Sequence, residues 1–132
     1  MAVRRRRRSS QLTPLELEVM EALWGGGAGT VQAVQKRLPT HPPLAYNTVQ
    51  TVLTILHRKK QVSRTLVGKA FVYEAMTTRE RAARRALSEI IEKLFAGSPS
   101  ELVMSLIGTE KLTRADLRRI RLLIKKYEDA SE

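Results

Sequence analysis

The chain has 132 residues, with 24 Lys and Arg against 13 Asp and Glu, a formal net charge of +11, and no cysteine. This length suits one domain, or a small domain with an appendage, and the missing thiols exclude disulfides, thiolate metal sites and cysteine nucleophiles. No stretch reaches the ~18–20 apolar residues of a membrane-spanning helix. "MAVRRRRRSS" has the charge of a signal n-region but no apolar segment behind it, so the reading predicts a cytoplasmic protein without membrane insertion and with a polyanionic partner.

Residues 1–11 are charged and aperiodic, which predicts a disordered basic arm. A helix then opens with Thr13 as N-cap, Pro14 at its first position, Glu16 as capping-box partner and Leu12 with Leu17 as a staple. Leu15, Val19, Met20, Leu23 and Trp24 supply its buried face, and "GGGAG" (25–29) ends it. Thr30 opens a short helix with Val31, Val34 and Leu38 on one side, stopped by Pro39, Pro42 and Pro43. A third helix spans about 45–60. "QVSRTLVGKAFVYEAM" (61–76) is β-branched and aromatic and is split by Gly68, which predicts strands at 61–66 and 70–75 in a hairpin. Three helices and a basic hairpin in this order make a winged helix-turn-helix over residues 12–76.

"TTRE" reads as a second capping box, Thr77 with Glu80, leading a helix to about Phe95. "SPSE" (98–101) leads a short helix to about Ile107, and a last helix starts at Thr113. Each carries a full apolar stripe, yet together they span only about 50 residues, too few for a core of their own. The expectation is that a second copy covers these stripes, making 77–132 a helical dimerisation region. The side chains assigned to that contact are Leu87, Ile91, Leu94, Leu102, Leu106, Leu117, Ile120 and Ile124. The fold class is therefore mainly α with a small β-hairpin: an N-terminal winged helix followed by dimerising helices.

The third helix carries the chemistry. Val49, Val52, Leu53 and Leu56 fall on one side, and Asn47, Gln50, Thr51, Thr54, His57 and Arg58 on the other. A solvated face would favour Glu and Lys. Asn and Gln instead match the paired donor and acceptor of adenine in the major groove, and Thr can bond a base edge or pack on a thymine methyl. Charge follows the same logic. Between Leu44 and Met76 lie Arg58, Lys59, Lys60, Arg64 and Lys69 against only Glu74, whereas residues 77–132 are nearly balanced, with twelve basic and nine acidic side chains. Arg58, Lys59 and Lys60 at the helix end, Arg64 and Lys69 on the wing, and Tyr46 and Thr54 along the helix are expected against the DNA backbone. Trp24 and Tyr73 read as core. His41 and His57 have no acidic or thiol cluster near them in sequence, and no nucleophile elbow, phosphate loop or paired-carboxylate motif is present. No metal, cofactor or enzymatic activity is expected.

"LTPLELEVMEALW", "TVQAVQKRL", "AYNTVQTVLTILHRKK", "GKAFVYEA" and "KLTRADLRRIRLLI" together resemble the penicillinase-repressor (BlaI/MecI) family of bacterial transcriptional regulators, over about residues 12–128. The resemblance implies a homodimeric repressor whose third helix enters the major groove of each half of an inverted-repeat operator. It implies base reading by Asn47, Thr48 and Gln50, with Thr51 beside them, and wing contacts by Arg64 and Lys69. It also implies release when the dimerisation region is cut by a membrane-bound sensor protease. The family's cut falls at an Asn-Phe pair within the stretch matching "ELVMSLIG" (101–108), where this chain has Ser105 and Leu106. The cysteine cluster of the copper-responsive branch is missing. Two other readings compete: a non-specific nucleic-acid-coating protein driven by Arg4–Arg8, and a MarR-like repressor that responds to a small molecule.

Overall fold

The computed structural model describes residues 12–39 and 43–131. The basic arm and His41 lie outside the described residues. The chain divides into two compact units between Leu87 and Ser88.

The first unit contains α1 (Pro14–Gly26), α2 (Val31–Arg37), α3 (Tyr46–Arg58), β1 (Val62–Val67) and β2 (Ala70–Ala75), and it includes the start of α4 (Arg79–Leu94). The α1 capping box forms as its sequence dictates: Thr13 Oγ1 accepts from Glu16 N at 3.2 Å, and Thr13 N donates to Glu16 Oε1 at 3.1 Å. Val19, Met20 and Leu23 of α1 meet Val31 and Val34 of α2 and Val49, Val52, Leu53 and Leu56 of α3, closed below by Val62 and Tyr73. Burying these side chains, at about 25 cal/mol per Å² of apolar surface removed from water, holds three short helices that would not persist alone.

The hairpin is antiparallel, with Val62 opposite Ala75 and Val67 opposite Ala70. Gly68 takes φ +64° in the two-residue turn, a conformation that only glycine adopts at little cost. A third backbone segment, with no strand signal in its residues, joins the sheet. Gly29 and Tyr73 exchange two hydrogen bonds of 2.9 and 2.8 Å, pinning the α1–α2 loop to the wing. That loop is also clamped by Arg37, whose Nη1 donates to Gly27 O at 2.7 Å and Ala22 O at 3.2 Å. The glycines of "GGGAG" make room for it, since a Cβ on Gly26 would come within 2.6 Å of the guanidinium.

The expected Thr77–Glu80 box does not form. Thr78 Oγ1 instead accepts from Arg81 N at 3.1 Å, while Thr77 presents its carbonyl to Trp24 Nε1 at 2.8 Å. Thr77, tethered to Trp24, lies two residues before the first helical residue, Arg79, and the adjacent Thr78 takes the capping role.

The second unit holds the end of α4, α5 (Pro99–Gly108) and α6 (Arg114–Ala130). Thr113 and Asp116 make a full capping box on α6, and the Thr113 N–H and hydroxyl hold the Asp116 carboxyl below its ordinary value. On α5, Ser98 caps Glu101 N without the reciprocal bond from the Glu101 side chain. No residue of α4, α5 or α6 is buried. Leu94, Leu122 and Tyr127 are 75, 69 and 68% exposed. No helix among the described residues is long and apolar enough to cross a membrane.

Candidate nucleic-acid interface

α3 has no side-chain N-cap, because Ala45 precedes it. It is held by its buried stripe and by the way it ends. Gln61 N donates to Leu56 O at 2.9 Å and Lys60 N to His57 O at 3.1 Å, with Lys60 in the left-handed region at φ +62°. This is a Schellman motif with lysine where glycine is usual. The strained residue projects a cation at the junction between helix and wing.

Opposite the buried stripe, Asn47, Gln50, Thr51 and Arg58 are exposed, and Thr54 and His57 are half-buried. Asn47, Thr51, Thr54 and Arg58 fall within about 60° of one another at ~100° per residue. Gln50 and His57 flank them on one side. Thr48 is exposed but lies about 100° round from Asn47, at the edge of this face. Tyr46 is half-exposed on the opposite flank. The two threonine hydroxyls donate to the carbonyls one turn back, Thr51 to Asn47 O and Thr54 to Gln50 O, both at 2.9 Å. Their donors are thus occupied and their methyl groups are free to meet an apolar edge.

Between the end of α3 and the start of β1 runs an open cleft lined by Thr54, His57, Arg58, Lys60, Ser63 and Arg64. It brings together cations from both elements in a shape suited to a phosphate backbone. Arg64 is held by stacking over Phe71, with its guanidinium carbon 4.3 Å from the ring centroid. Lys69 stands apart, exposed at the wing tip. Ser63 went unread in the sequence, although its place one residue into the strand puts it beside the charged helix end.

Lys59 does not join this surface. Its Nζ lies 2.7 Å from Glu16 Oε1, with side chains only 19 and 7% exposed. The sequence expectation of a backbone contact is corrected here: the ammonium neutralises a carboxylate that α1's capping box carries into the interior. A buried Glu16 was not foreseen, because its capping role alone accounts for the residue.

A family model described as "Penicillinase repressor" matches residues 12–126. The chain belongs to the penicillinase repressor family. The methicillin resistance regulatory protein MecI of Staphylococcus aureus (strain N315) is 20% identical over 116 residues, covering 88% of this chain and 94% of that protein. The penicillinase repressor of Bacillus licheniformis is 19% identical over 119 residues, covering 90 and 93%. The solved structure titled "The complex structure of hsRosR-S4" superposes with a TM-score of 0.52 at 14% identity over 92% of this chain and 93% of that one, a likeness of fold. As a member of the penicillinase repressor family, the chain is a DNA-binding transcriptional regulator of the BlaI/MecI type and not an enzyme.

Proposed function

We propose that this repressor acts as a homodimer on an inverted-repeat operator, each subunit laying α3 in the major groove with Asn47, Thr48, Gln50 and Thr51 toward base edges. The observation that carries the reading is an exposed, uncharged hydrogen-bonding face on α3 bordered by the Arg58–Lys60–Arg64 cleft. Uncharged short side chains read bases, and cations set against phosphates fix the register. Tyr46, Thr54 and Lys69 are assigned to the backbone on either side.

Dimerisation is supported by the apolar surface of the second unit. Leu94, Leu106, Leu117 and Ile124 are all at least 38% exposed, and exposed apolar side chains in such number mark an interaction surface. Leu87, Ile91, Leu102 and Ile120 extend the same stripes. Two linked half-site contacts gain from effective concentration, so separating the subunits releases DNA without any change at α3. Ser105 and Leu106, at the position of the family's cut, lie in the regular turns of α5. A sensor protease would have to unwind α5 to reach them, so cleavage depends on local opening of that helix.

The test is fluorescence anisotropy at about 150 mM salt on DNA upstream of the protein's own gene, beside a shuffled duplex. The reading expects a preference of roughly a thousandfold or more, saturating at two chains per duplex, and retained when residues 1–9 are deleted. A preference that disappears with residues 1–9 would favour the coating reading instead.

A further inference from the structure

Trp24 is the chain's single tryptophan, packed against the edge of the core and only partly buried. It forms one wall of a cavity of about 300 Å³ within the first unit, between α1 and the first turns of α4. That is the lower end of the range in which small-molecule sites fall. The cavity exists because α4 presents Ala82, Ala83 and Ala86 to it, where larger side chains would fill the space against Leu17 and Trp24.

The polar groups are few and convergent. Arg79 lies over the Trp24 ring at 5.1 Å and reaches Glu21 at 3.3 Å, an exposed pair that a competing anion can displace. Arg85 also lines the cavity and has no partner among the described residues. Two guanidinium groups against one carboxylate leave the rim with one net positive charge. Gln61, 6% exposed, lines the same cavity; its Nε2 donates to Lys59 O at 3.2 Å, and its amide oxygen accepts no hydrogen bond among the described residues.

We propose that this cavity is a binding site for a small planar monoanion of single-ring size, its ring against Trp24 and the alanines and its carboxylate between Arg79 and Arg85. The apolar ring follows from the Trp24, Leu17 and alanine lining, single-ring size from the volume, and negative charge from the arginines. Carboxylate recognition by a guanidinium fork adds geometry to charge. Gln61 aside, the site takes no residue from α3 or the wing and shares none with the charged cleft, so its occupancy is tested apart from the DNA reading.

Emission from Trp24 reports occupancy directly. Titrating the full-length protein with phenylacetate should give a saturable change in Trp24 emission with a midpoint of about 1 mM or below. The neutral isostere phenylacetamide should bind about tenfold or more weakly. Ala86→Leu, which fills the cavity, should abolish the response, and Arg85→Gln, an exposed change that spares the fold, should weaken it to the level of the amide. No emission change would overturn the proposal, as would equal responses to acid and amide. Emission that shifts on diluting the protein without ligand would also overturn it, since a second copy would then occupy the cavity.

Discussion

Lys60 sits at the end of α3 in the left-handed region, where a side chain costs roughly 1 kcal/mol relative to glycine. If its charge serves the cleft, stability and DNA affinity pull against each other at this residue. Lys60→Gly should raise thermal stability by up to ~1 kcal/mol and lower affinity for all duplexes alike, with a salt slope smaller by about one. Lys59, one residue earlier, should behave in the opposite way. Lys59→Met should cost about 1–3 kcal/mol of stability, since it strips a charged hydrogen bond from buried Glu16, while leaving the salt slope of DNA binding unchanged. Salt titrations of both variants beside melting curves separate the two roles. At Gln50, replacement by Ala should cost about 1–3 kcal/mol on the specific duplex and little on a shuffled one. Adjacent lysines of one "RKK" run cannot be told apart by charge alone. Their roles diverge because the helix ends between them, turning Lys59 toward α1 and Lys60 toward the cleft.

At the scale of elements, most of the winged unit was legible because each segment states its own ends. Thr13 with Glu16, Thr30, Gly68 and the apolar spacings of α1 and α3 are local signals, and the observed helices and hairpin follow them closely. What was not legible depends on contacts distant in sequence. Trp24 reads as core, yet its N–H tethers Thr77, 53 residues away, and moves the α4 cap to Thr78. The "GGGAG" stretch reads as a helix terminator, but its glycines also admit the Arg37 guanidinium and bring Gly29 to Tyr73. A double-mutant cycle tests this clamp. Arg37→Ala should cost about 1–3 kcal/mol. Gly26→Ala should be destabilising with Arg37 present, because the new methyl displaces the guanidinium, and neutral or stabilising without it. Additive effects in thermal melts would mean that the glycine and the arginine act separately. The α6 box makes a smaller prediction with a definite sign. Asp116 has a lowered pKa in the fold, so its contribution is present above the ordinary carboxylate range and is lost as pH falls through the folded value. Asp116→Asn should remove that pH dependence from the melting of α6.

For the whole molecule, the first unit has a closed core and the second does not. Among the described residues, eleven hydrophobic side chains are buried in the first, while α4, α5 and α6 bury none. The uncharged polar face of α3 was visible in the sequence because Asn, Gln and Thr stand where an ordinary exposed helix face carries Glu and Lys. The stripes of 77–132 were visible too, but what covers them is a property of assembly, which no spacing within one chain encodes. If a second copy covers them, the cooperativity of DNA binding belongs to the second unit and its specificity to α3. A chain ending at Ala96 should then keep its winged fold, by circular dichroism and melting, and lose most of its operator affinity while retaining its sequence preference. The most direct test of the central claim is selection of binding sites from random-sequence duplexes by the full-length protein, followed by mass measurement of the complex. Enrichment of an inverted repeat bound by two chains is expected, its half-sites separated by about one helical turn or a multiple. Recovery of a single unrepeated half-site bound by one chain, or no enriched sequence at all, would contradict it.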